Sequence, residues 1–134
     1  MFMLYVKLFS VSLFTFLILD AIWLGFIARN FYAKYLAVYL TDNVIWLSAI
    51  IFYLIFNIGL LIFVILPSIE KNSYTTLILY SLLYGLVTYA TYDLTNYATI
   101  KDWPFAVTIV DIIWGMFVAL ASSSAAFLFH KYFV

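Results

Sequence analysis

Along this chain, long apolar runs alternate with short polar turns. The first run covers about Met3 to Ile27, the second Val44 to Leu66, the third Tyr74 to Tyr97 and the fourth Pro104 to Phe129. Each is close to the ~20 residues a helix needs to cross a bilayer core. The pattern predicts an all-α membrane protein, a bundle of four transmembrane helices forming a single membrane domain over residues 1–134. Pro67 is expected to end the second span, because proline cannot continue a helix easily. Trp103-Pro104 opens the fourth, where a missing N–H costs nothing. Between the first two spans, RNFYAKYLAVY (29–39) carries Tyr32, Tyr35 and Tyr39 at helical spacing among Arg29 and Lys34. It reads either as a short helix lying in the headgroup region or as a connecting loop.

Composition agrees with the pattern. The chain is 69% hydrophobic and 9% charged, with mean hydropathy +1.17; a soluble domain is roughly half apolar and a quarter charged. The first run carries Lys7 near its start, as a signal peptide would. It is too long for an h-region, holds Asp20 and lacks a small-x-small cleavage site, so it reads as a retained helix. Formal net charge is zero, and nothing points to nucleic acid. There is no cysteine, which removes disulfides, thiolate metal sites and thiol nucleophiles. The single histidine, His130, reads as an interfacial end residue, and Ser122 to Ser124 as helix packing with no base in reach. No haem, flavin or nucleotide signature occurs. Four spans put both ends on one face, side A, with Lys7, Lys71 and Lys131; Arg29, Lys34 and Lys101 fall on side B. Three against three gives the positive-inside rule nothing to act on.

What changes the picture is acid inside the spans. Asp20, Asp93 and Asp111 are each expected roughly 6–12 Å below surface B, at the helical rise. Asn57 lies deeper, nearer the midplane. An ionised carboxylate there costs about 2.5–3.5 kcal/mol on insertion scales, so the layer needs relief. A shared proton is one source. A hard divalent cation held by Asp20, Asp93 and Asp111 is another, and Arg29 or Lys101 reaching in from side B is a third. Hydrogen bonds that merely cross-link helices remain the plain alternative.

The helical faces add detail. Gly85, Tyr89, Asp93 and Asn96 share a face of the third span. Asp111, Gly115, Ala119 and Ser123 form a stripe on the fourth, and small residues at that spacing let helices approach closely. ILDAIW (18–23) and IVDIIW (109–114) agree at four of six positions. On antiparallel helices, Trp23 and Trp114 would then point in opposite directions from a common Asp layer, a local pseudo-twofold; in so apolar a chain the repeat also arises by chance. The expected site is catalytic Asp20, Asp93 and Asp111, with Trp23, Asn57, Tyr89, Asn96 and Trp114 as ligand-binding residues, in one pocket opening toward side B.

LDAIWLG (19–25), Pro67, YATYDLTNYAT (89–99), WP (103–104) and VDIIWG (110–115) follow one another in this order. Together they resemble the bacterial membrane-protein family catalogued as domain of unknown function 2177, over nearly the whole chain, with YATYDLTN the specific part. The resemblance implies a small four-helix protein of the bacterial inner (cytoplasmic) membrane. It supplies no activity and no catalytic residue.

Two classes of function fit. The first is an enzyme or binding protein directed at a lipid or isoprenoid, with the acids at headgroup depth: a protonated Asp as general acid and an ionised one as base, or a bound divalent ion for phosphoester chemistry. The second is a proton- or cation-coupled transporter subunit, which with four spans would need a homodimer to form a pathway. A helper subunit of a membrane complex is the non-catalytic option. Side A has no matching acid layer, which disfavours a full pathway.

Overall fold

The computed structural model describes residues 1–134 and is helical throughout. Helix α1 runs Phe2–Ile22 and continues through a π-helical turn, Trp23–Ile27; α2 is Arg29–Leu36; α3 is Trp46–Leu60, followed by a second π turn, Leu61–Ile65, and by α4, Leu66–Glu70; α5 is Tyr74–Thr99 and α6 is Phe105–Phe133. Four continuous helical segments are long and apolar enough to span a membrane: Phe2–Ile27, Trp46–Glu70, Tyr74–Thr99 and Phe105–Phe133. The protein is a four-helix membrane bundle. Only 27 of 134 residues are buried within it, so most of its apolar side chains face outward, as lipid contact requires.

The second span does not stop at Pro67. Proline cannot donate to the helical ladder and its ring crowds the carbonyl four residues back. The widened turn just before it, where the Leu66 N–H reaches back to the Leu61 carbonyl, takes up that misfit. Pro67 then sits in the first turn of α4, where its missing N–H is unneeded, and the helix runs on to Glu70. Asn72 and Asp102 adopt left-handed backbone conformations, which asparagine and aspartate tolerate, and make the tight reversals before α5 and α6. Ser73 caps α5, its hydroxyl accepting from the Thr76 N–H at 3.1 Å.

Helix α6 is the hub, packed along α5 and α1. Gly85 and Gly115 let α5 and α6 meet backbone to backbone: a methyl added at Gly85 would lie 2.6 Å from the Cα of Met116. The buried positions of α1 are Leu8, Ser12, Phe16 and Asp20, one stripe at four-residue spacing. Deeper in the bundle, the Ser12 hydroxyl donates to the Asn57 side-chain carbonyl at 2.7 Å and the Asn57 amide donates to the Tyr53 carbonyl at 3.0 Å. Asn57 therefore joins α1 to α3.

On side B, the segment after the first span does form a helix. Its following turn is tied across the surface by the Tyr39 hydroxyl, which donates to the Lys101 carbonyl at 3.0 Å. Helix α3 meets α5 through Phe56, whose ring lies against Tyr84 and Tyr89. On the side B side of that contact, between Phe52 on α3 and Thr88 and Tyr92 on α5, a cavity opens.

Candidate functional site

Asp20 ends the buried stripe of α1 one helical step before the π turn, an irregularity that recurs at functional sites. One carboxylate oxygen accepts from the Tyr53 hydroxyl at 2.9 Å and the other from the Trp114 indole N–H at 3.3 Å. Both oxygens are thus held by donors from α3 and α6. Asp111, in the second turn of α6, accepts from the hydroxyl of Tyr32, and Tyr32 in turn accepts from the Trp23 indole N–H at 3.1 Å. Trp23 and Trp114 stack face to face, their ring centroids 4.5 Å apart and their planes within 4°.

The two Asp-x-x-Trp segments therefore serve each other. Trp114 donates directly to the acid of α1, and Trp23 donates through Tyr32 to the acid of α6. What the two segments share in the fold is the tryptophan pair: Trp23 and Trp114 meet instead of pointing apart. The indoles converge because they stack and share contacts across the α1–α6 seam. Asp20 is thus reached from α6 and Asp111 from α2.

Asp93 is fully buried, and neither carboxyl oxygen has a donor. The carboxyl of Asp111 on α6 approaches it. Two carboxyl groups that approach each other away from water favour one proton between them. The backbone around Asp93 is fixed from α6: its carbonyl accepts from the Thr108 hydroxyl at 3.2 Å, and Thr108 accepts from the Trp103 indole at 3.2 Å. The Trp-Pro pair that opens α6 thereby locks the end of α5. Asp20 is bonded by tyrosine and tryptophan and Asp111 by tyrosine, and neither Arg29 nor Lys101 is among these partners.

The cavity encloses about 600 Å³ and is lined by twelve residues, nine of them apolar or aromatic. Asp20 and Asp111 lie in its wall with Trp23, Tyr89 and Trp114. Tyr32, Phe52, Thr88 and Tyr92 complete the polar and aromatic lining, and Leu24, Leu36 and Leu40 the aliphatic part. The exposed lining residues Leu24, Leu40, Phe52 and Tyr92 form its rim. Three expected residues lie elsewhere: Asp93 is behind Asp111, Asn96 is a turn further toward side B, and Asn57 is engaged with Ser12. Nor do the three acids gather into one cluster able to hold a metal ion; they divide into the Asp93–Asp111 pair and the separately bonded Asp20.

Tyr32 and Tyr53, the two phenols that hold the acids, are not singled out by the sequence. The chain has twelve tyrosines, and at a membrane surface each reads equally well as an anchor. Burial, and then the adjoining Asp111 carboxylate, push the Tyr32 phenol well above its ordinary pKa, so it stays a donor at neutral pH.

No curated protein and no solved structure matches the chain. A family model described as predicted membrane protein, domain of unknown function 2177, matches residues 5–128, a span that includes every residue of the cavity wall. The chain belongs to that family, DUF2177.

Proposed function

We propose that the protein is a lipid- or isoprenoid-directed binding protein or enzyme of a bacterial cytoplasmic membrane, and that the cavity receives the polar end of a membrane amphiphile. One observation carries the reading: a pocket of about 600 Å³ with a largely apolar wall and two convergent carboxylates. That is the size and make-up of a small-molecule site. Its rim of exposed apolar residues meets the lipid phase, so an acyl or isoprenoid chain can enter sideways while its head meets the acids. In the enzymatic form of this reading, the Asp93–Asp111 pair, holding one proton, is the general acid. Asp20, held by two donors, is the base.

The transport reading has less support. Toward side A the buried hydroxyls of Ser68 and Ser123 bond back to their own helices at 2.6 and 2.7 Å, Ser122 is unpartnered, and no buried acid joins them there. A pathway would also need a second copy of the chain.

The test is retention of lipid. Protein purified in a mild detergent, with extracted amphiphiles identified by mass spectrometry, is expected to carry a species depleted in Asp111→Asn and in the cavity-filling Phe52→Trp. Identical extracts from all three proteins would refute the proposal.

A further inference from the structure

Half of the cavity wall is aromatic: Trp23, Tyr32, Phe52, Tyr89, Tyr92 and Trp114. The only ionisable groups among them besides the phenols are two carboxyl groups; no Lys, Arg or His lines the cavity. Behind the wall, Asp93 adds a third acid, fully buried and with no donor on either oxygen. Aromatic faces carry negative charge at the ring centre and attract a cation placed over them. A ring of such faces closed by acid is the arrangement that takes up organic ammonium groups.

We infer that the head group selected by this cavity is an organic ammonium, primary or alkylated, on an apolar tail. This rests on the reading of the cavity as an amphiphile site and names the chemistry of the occupant. The alternatives fit less well. A hard metal ion asks for six or more oxygen ligands in the case of calcium and magnesium, and the wall offers rings where those oxygens would be. An anionic head would meet carboxylates with no cation to hold it. A neutral head would leave the acids without a counter-charge in a medium where that is costly. An ammonium supplies the counter-charge and the N–H or polarised C–H donors, and the rings replace its hydration shell. Tyr32, itself held by Trp23, donates to Asp111, and Tyr53 and Trp114 donate to Asp20, so both acids are oriented in the wall that the cation would meet.

Two sources carry this chemistry: a membrane lipid with an aminoalkyl head, and a free amphiphilic amine or quaternary ammonium compound. The full chain, placed in discs of an uncharged, amine-free galactolipid, separates them. Decyltrimethylammonium, 1-decanol and decyl sulfate are titrated, with binding read from depletion of probe and corrected for empty discs. The ammonium is expected to saturate at one per chain and to bind about tenfold more tightly than decanol, ~1.4 kcal/mol, with no saturable sulfate binding. Tyr92→Leu, at an exposed ring on the rim, is expected to weaken ammonium binding about two- to fivefold, and Asp111→Asn to weaken it further. Competition by a short-chain phosphatidylethanolamine assigns the site to a lipid head; failure to compete assigns it to a free amine, and both results support the ammonium. Equal binding of decanol and the ammonium overturns the inference and leaves the amphiphile reading standing. Absence of saturable binding by any probe overturns both. Ammonium binding unchanged in Tyr92→Leu and Asp111→Asn places it outside the cavity and overturns the inference.

Discussion

Replacing Gly85 by alanine tests the contact on which the rest of the bundle is hung. A methyl group there would fall 2.6 Å from the Cα of Met116 and 2.8 Å from the carbonyl carbon of Gly115. Carbon atoms pack at about 3.5–4.0 Å, so roughly 1 Å must be found. The obstacle is helix backbone, which cannot swing aside as a side chain does. Helices α5 and α6 would have to separate along their shared seam, and Asp93 would move away from Asp111. Overpacking of this kind costs about 1–3 kcal/mol. The exchange of glycine for alanine in a helix offsets about 0.5–1 kcal/mol of that, leaving a net loss of up to ~2.5 kcal/mol. Gly25 is the internal control: nothing lies within 4 Å of a methyl built there, so Gly25→Ala keeps only the gain. The two variants should shift stability in opposite directions when unfolding is titrated with sodium dodecyl sulfate in mixed micelles and followed by circular dichroism. A Gly85→Ala protein as stable as Gly25→Ala would mean that α5 and α6 do not meet at this point.

Gly115→Leu drives a larger group into the ring of Tyr89, which a Cβ at Gly115 already overlaps; it should destabilise by about 1–3 kcal/mol or more, measured in the same titration. Asp20→Ala strips the acceptor from both Tyr53 and Trp114 and should cost about 1–3 kcal/mol for each donor left buried, whereas a loss below 0.5 kcal/mol (about the effect of a surface change) would contradict the bonded geometry. Tyr32→Phe breaks the link between α2 and Asp111 and should speed amide exchange across Arg29–Leu36 while leaving α5 and α6 protected. The Tyr32 phenol is raised above its unfolded value of about 10, so its contribution is fully present below that pH and is lost as pH rises through the higher folded value; in an alkaline absorbance titration it should be among the last tyrosines to ionise. Reporter fusions at residues 70 and 134 should agree and oppose one at 101, and agreement between 101 and 134 would sink the four-span topology.

Span number and rough span limits are legible in one dimension, because the length of an apolar run is compared with the thickness of a bilayer. Polar and small residues also mark inward faces correctly: Ser12 and Asp20 on α1, Asn57 on α3, Gly85 and Asp93 on α5, and Gly115 and Ser123 on α6 all prove buried. Side-chain partners are a different matter. In water a helix advertises its buried face by an apolar stripe against a polar one; in lipid both faces are apolar, and association rests on close packing and specific hydrogen bonds. Helix rotation therefore came from the Gly85–Gly115 contact and the indole stack. Proline alone signals a stop; only the preceding π turn, a matter of backbone register, carries the second helix past it. Residue types and spacing along the chain set out which groups had to be sheltered from lipid. Three-dimensional packing decided that Trp114 and Tyr53 shelter Asp20, that Tyr32, backed by Trp23, shelters Asp111, and that Asp93 is buried with no donor, because each of those partners comes from a different helix.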